Sequence, residues 1–196
     1  MQNRENMATL LTAQNVFNGQ GFDDAEMLRK AERELDRLRA SRPMATNDHM
    51  FNFAVTLAAV SDWTFHLHLK HLPRWSGKVE QSFTNWVRHN SADAFVFIDI
   101  SNEYKHADRK KPSTLAEKMM VSYIDLGVHP QVRAGLDMSK GWIQKVGAAD
   151  WYFFPSIKFN GGIEHFYDPA ERAISWWKSF VPASAVPMDV HGNILA

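Results

Sequence analysis

The chain has 196 residues, 45% of them hydrophobic and 22% charged, with basic and acidic residues balanced at 22 each and no cysteine. This length suits one domain with a genuine core. The charge balance gives no global field toward nucleic acid or anionic lipid, and the missing thiols exclude disulfides, thiolate metal sites and cysteine nucleophiles.

Residues 1–22 carry Asn, Gln, Gly19 and Gly21 around a weak apolar patch, which predicts a lead-in segment without a basic and apolar secretory signal. No apolar run approaches the 18 or so residues that would cross a membrane, so a cytoplasmic protein is the expectation. A single domain is expected over residues 23–181, made of a helical bundle (23–111), a small sheet (112–167) and a closing helix (168–181). The last residues, 182–196, read as a tail.

Asp23 or Asp24 is placed to cap a first helix running to about Ala40, with Leu28, Ala31, Leu35 and Leu38 at helical spacing. Its many charges alternate in sign and predict a solvated face. After Pro43, Thr46 or Asn47 can cap a second helix ending near Leu72, before Pro73. Its middle, Phe51 to Val60, is apolar on nearly every side and predicts a buried centre. Gly77 to Asn90 predicts a shorter helix with Val79, Phe83, Trp86 and Val87 inward.

Ser91-Ala92-Asp93 then looks like a helix start. The run Phe95-Val96-Phe97-Ile98 that follows has the composition of a buried strand as well. We expect a helix, because no turn residue interrupts the run before Pro112.

Beyond Pro112 the texture becomes strand-like. Strands are expected at Met119 to Ile124, Trp142 to Val146 and Trp151 to Phe159, with a loop or short helical turn over 128–140. Asn160-Gly161-Gly162 signals a hairpin into Ile163 to Phe166. Asp168-Pro169 predicts a helix start with Pro at its first position, followed by Ala173, Ile174, Trp177, Phe180 and Val181 as its apolar side. Trp176-Trp177 reads as core plus one semi-exposed ring, with a ligand platform as the alternative. The fold class expected is α+β: a bundle of about four helices, a small antiparallel sheet and a closing C-terminal helix.

The chemistry-bearing stretch is Asp99 to His106. In a helix, Asp99, Asn102 and His106 share one face. His106 is suited to proton transfer near neutral pH. Asn102 can orient it or hold a substrate oxygen, Asp99 can raise its basicity, and Lys105 and Arg109 supply positive charge for a phosphate backbone. The same three polar groups also suit a buried network that satisfies itself and fixes helix register.

Asn102-Glu103-Tyr104-Lys105-His106, late in a helical series, resembles the signature of the HEPN superfamily, in which an Arg and a polar residue are followed by three residues and a His. Asn102 and His106 align with the polar residue and the His, while Ser101 stands at the arginine position. The resemblance implies a helical bundle, metal-independent RNA cleavage and a homodimer. An Asn-x-x-Lys-His step (Asn102, Lys105, His106), a Gly161-Gly162 hairpin and a Trp176-Trp177 helix are also similar to uncharacterised bacterial and phage proteins, which implies a bacterial or phage setting.

Asp62, His66, His68 and His71 suggest metal, but about 200° separates His66 from His68 at roughly 100° per residue, so one helix cannot aim all three imidazoles at one ion. Asp62 and His66 can instead extend the polar stripe from a neighbouring helix. Glycine-rich phosphate loops, Gly-x-Ser-x-Gly and His-Glu-x-x-His are absent from the sequence. No cofactor and no bound metal are expected. Three readings stand: nucleotide or RNA binding with cleavage centred on Asn102 and His106; a non-enzymatic interaction module with a structural stripe; and a metal-dependent hydrolase using Asp62, His66 and His106.

Overall fold

The computed structural model describes residues 23–41, 43–105, 116–159 and 161–195. Among them are five α-helices and a four-stranded antiparallel sheet, an α+β fold. The helices are α1 (Asp24–Ala40), α2 (Thr46–Thr64), α3 (Glu80–Asn90), α4 (Ala92–Lys105) and α5 (Tyr167–Ser179).

Helix α1 begins as expected, with Asp23 accepting a 2.7 Å bond from the Glu26 backbone N–H. Such a cap satisfies one of the orphan donors of the first turn. Ala31, Leu35 and Leu38 are buried against α2. Helix α2 is not capped by Thr46 or Asn47; a short 3-10 turn, Pro43–Ala45, leads straight into it. Nor does it run on to Leu72. At Phe65–Leu69 it widens into a π-helical turn, closed by Lys70 N–H to Phe65 C=O at 3.0 Å, and a 3-10 turn at Pro73–Trp75 follows. This last turn seats Trp75 in the core at 1% exposure. Helix α3 is shorter than expected, and Val79 lies outside it and in solvent, because the chain is still extended there.

Helix α4 is the centre of the molecule. The Ser91 hydroxyl caps it by accepting from Ala94 N–H at 3.1 Å, and residues 94–101 are all buried. Burial on every side explains why its run looks strand-like: no wet face breaks the apolar sequence. Phe97 meets Phe53 of α2 at 5.0 Å and Phe166 at 5.4 Å, and Phe53 meets Phe166 at 5.5 Å, all edge to face.

The strands are β1 (Ala116–Asp125), β2 (Trp142–Val146), β3 (Ala149–Phe159) and β4 (Gly162–His165). β3 is central: β1 pairs along one side of it, while β2 and β4 share the other, each covering one end. The hairpin turns need left-handed backbone at Gly147 (φ +63°) and Gly161 (φ +74°), which glycine adopts without steric cost. Met119 and Ile157, paired across β1 and β3, enter the helical core. At the other end of that face Tyr123 is exposed.

Helix α5 starts at Tyr167, with Asp168 and Pro169 inside its first turn and no side-chain cap. Ala173, Ile174 and Trp177 are buried and Trp176 is partly so, while Val181 is exposed. The segment expected as a tail is docked. Met188 N–H donates to Ser82 C=O at 3.2 Å, Asn85 Nδ2 donates to Met188 C=O at 3.1 Å, and Ala185 is fully buried. Apolar side chains at Ala185, Val186 and Met188 explain the docking, since each finds a place at the core's edge.

Candidate functional site

Of the residues singled out above, α4 carries three within the described residues. Asp99 is 2% exposed and is partnered within the protein. Asn102 is half-buried one turn later, where the helix leaves the core, and Lys105 is the last residue of the helix. Ser101, at the arginine position of the HEPN-like pattern, is fully buried and its hydroxyl has no hydrogen-bond partner. His106 and Arg109 lie outside the described residues. At its other end α4 is clamped: Arg172 of α5 binds both oxygens of Asp93 at 2.9 Å and Glu164 of β4 at 2.9 Å. These carboxylates hold the Arg172 guanidinium well above its ordinary pKa.

The histidines of the α2 end point to different carboxylates. His66 Nε2 lies 3.6 Å from Glu80 of α3. His68 Nε2 lies 3.0 Å from Asp24 of α1, and the Thr64 hydroxyl donates to the other Asp24 oxygen at 3.4 Å. His71 lies beyond the helix, in the turn that follows it. Among the described residues no group of three His, Asp or Glu is arranged to hold a metal ion.

A cleft of about 490 Å³ opens beside this pair, between α1, the π-turn and α5. Leu28, Val60, Trp177 and Phe180 form apolar walls, and Asp24, Thr64 and His68 stand among its polar lining. Trp177 is 5% exposed and its indole N–H has no hydrogen-bond partner. Sequence reasoning missed this site because Asp24 and His68 are 44 positions apart. Only the spacing of Thr64 and His68, four apart, hinted at a shared face.

A second cavity, of about 400 Å³, lies on the sheet face covered by the 126–141 loop. The Tyr152 hydroxyl donates to Asp137 C=O at 2.7 Å, and Lys140 donates to Asp168. The Lys140 ammonium is thereby held above its ordinary range, while hydrogen bonds from Ser139 hold the Asp137 carboxyl low. His165, paired with Ser156 across the hairpin, packs 4.4 Å from the Phe154 ring and its Nδ1 is buried without a partner. Burial pushes the His165 imidazole below the ordinary histidine range, against an upward pull from Asp168. A depressed histidine pKa favours the neutral ring in the folded state, so the folded protein binds fewer protons than the unfolded chain as the pH falls through that range. Stability from this group is therefore complete above about pH 6.5 and falls as the pH drops toward the lowered folded value. His165→Gln is expected to flatten the decline of the urea midpoint between about pH 7 and pH 5. An unchanged slope would place the titration elsewhere.

The Tyr123 end of that sheet face carries an aromatic strip. Trp142 stacks on Phe153 at 5.9 Å, Trp151 on Phe153 at 6.5 Å, and Tyr123 meets Trp151 at 5.0 Å. Tyr123 is 62% exposed.

The fold and these sites define an α+β protein, and among the described residues no helix is long and apolar enough to cross a membrane. Compared with known protein families, curated proteins and solved structures, the chain matches none of them.

Proposed function

We propose that the chain binds nucleotides or RNA and cleaves a phosphodiester at the C-terminal end of α4, as a cytoplasmic HEPN-like homodimer of a bacterium or phage. In this reading α1–α4 supply a bundle of about four helices. His106 transfers the proton, Asn102 positions it or the phosphate, Asp99 sets the polar environment from the core side, and Lys105 and Arg109 hold the backbone charge. The observation that carries the reading is the unbroken α-helix from Ala92 to Lys105, which stands Asn102, half-buried, one turn after the buried Asp99. The aromatic strip offers faces on which unpaired bases can stack.

The test is cleavage of end-labelled single-stranded RNA, followed on gels, with binding followed by anisotropy. His106→Ala is expected to slow cleavage by about 10²–10⁴-fold, the usual worth of a positioned acid/base, while retaining most of the binding. Asn102→Ala is expected to slow it less. A parent protein that neither binds nor cleaves RNA would end this reading.

A second reading, a non-enzymatic interaction module, is favoured by a different observation. Asp99 and Ser101 are occluded in the core, whereas Tyr123, Val128, Met138 and Val146 are exposed at the sheet end. There the polar stripe fixes the register of α4 and the apolar side chains meet a partner.

A further inference from the structure

Strand β1 has one side paired and one side open. Among the described residues β3 is its only partner strand, so β1 is an edge of the sheet. The direction of its backbone groups follows from Val121, which stands opposite Pro155. Pro155 has no N–H. Its C=O accepts at 2.9 Å from the N–H of Phe166, which follows β4 on the far side of β3. Val121 therefore exchanges no bond with β3, and its N–H and C=O point to the open side. Met120 faces β3, where its C=O also accepts from the Ser156 hydroxyl at 3.0 Å. Backbone direction alternates along a strand, so Met119 and Tyr123 point outward with Val121.

Edge strands are usually blunted by charge, proline, a bulge or a covering segment. Here such devices stop at Lys118 and the irregular register just before it, and Met119 to Ile124 holds neither a charge nor a proline. Helix α2 stands off from this edge. A cleft of about 670 Å³ separates its Asn47, Asp48, Met50 and Phe51 from Lys118, Met119, Met120 and Val121. A cavity over one face of a strand meets every second residue. This one meets consecutive residues, so it runs along the edge and leaves room beside β1.

We propose that β1 pairs with β1 of a second copy of this chain, antiparallel about Val121, to give one continuous sheet across a two-fold dimer. In that register Val121 meets Val121, and Met119 meets Tyr123 of the second copy. Every outward N–H and C=O of these residues is then bonded. Directly opposed residues share a face of the sheet. Tyr123, 62% exposed in one chain, is thereby delivered to the cleft that Met119 lines with Met50 and Phe51. Charge favours a second copy as well: 22 basic and 22 acidic residues leave no net charge to hold copies apart. A strand pair of this length falls short of the roughly 20–30 residues a side of a standard interface, so the dimer forms only as concentration rises. The pairing gives the homodimer of the RNA reading an interface, but it rests on the strand edge alone and not on the chemistry at α4.

The test is residue-resolved amide exchange, followed by NMR on the full-length protein over a range of concentrations, beside sedimentation equilibrium. Exchange at Val121 and Tyr123 should slow by about tenfold for each hundredfold rise in concentration above the dissociation constant, because only the monomer leaves those N–H groups open. Met120 and Ser122, bonded to β3 throughout, should not respond. Val121→Pro removes one outward N–H and keeps the bonds to β3, as proline can on an edge strand. It should stay monomeric at concentrations where the parent is dimeric. Tyr123→Pro makes the same change at an exposed position and serves if Val121→Pro fails to fold. A parent that is monomeric throughout, a dimer that survives in a folded proline variant, or edge amides that exchange alike at every concentration would each overturn the pairing. A monomeric parent that cleaves RNA would overturn it and spare α4, whereas a dimer that leaves RNA alone would do the reverse.

Discussion

Phe53→Ala is expected to lower the unfolding free energy by about 3–5 kcal/mol, the usual cost of emptying a large buried aromatic site. Phe53 is fully buried on α2 and makes edge-to-face contacts with Phe97 of α4 and with Phe166, which precedes α5. Each such pair adds roughly 0.5–1.5 kcal/mol beyond area burial. Three separate parts of the chain meet at these rings, so no single element can move in to fill the void. For a chain of this size the loss corresponds to a fall in Tm of ~6–20 °C. Urea denaturation gives the free energy and calorimetry the Tm. Phe53→Leu, which retains much of the volume, should lose distinctly less. A loss under about 1 kcal/mol for the alanine variant would mean that the cluster collapses around the gap.

Gly141→Ala is expected to cost about 1–3 kcal/mol by overpacking. A Cβ at Gly141 would stand 2.4 Å from the Phe153 carbonyl oxygen and 2.5 Å from the phenol end of Tyr152. Neither neighbour can yield cheaply, because Phe153 lies within central strand β3 and Tyr152 is 1% exposed. The loop over 126–141 must lift, and the bond from Tyr152 to Asp137 goes with it. Hydrogen exchange should quicken in that loop and in the adjoining end of β3, while α4 keeps its protection. Gly135→Ala is the control. A Cβ there meets nothing within 4 Å, and the stability should stay within about 0.5 kcal/mol of the parent. Equal effects at the two glycines would refute the steric account.

The elements that announced themselves in the sequence were those governed by local chemistry. Asp23 caps α1 because a short acidic side chain reaches its own helix's free N–H groups. Ser91 does the same for α4, which is why a run with strand-like composition could be read as helix. The strand at Trp142 to Val146 and the glycine turn into β4 follow from period and turn residues. What stayed hidden depends on partners distant in the chain. Nothing near Phe65 marks a π-turn; it exists where α2 meets α1 and delivers His68 to Asp24. The closing residues carry Pro187 and Gly192 and so look loose, yet Met188 is held by Ser82 and Asn85 of α3. Of the candidate site, the helical register of Asp99 and Asn102 was legible. Their depth was not, because depth is set by the helices packed around α4. His165 carried no signal in its own neighbourhood, since its cavity is assembled from a loop and two other strands.

The central place of β3 has a consequence for how the chain is made. β1 leaves the ribosome without a partner, and its full mate is complete only at Phe159. At ~5–20 residues per second that interval lasts a few seconds. Helices α1–α4 precede it in the chain and have their own contacts by then, so nascent Met119 and Val121 can rest on a preformed helical surface. The outer half, around the exposed Tyr123, is the stretch that a ribosome-associated chaperone would be expected to grip during translation.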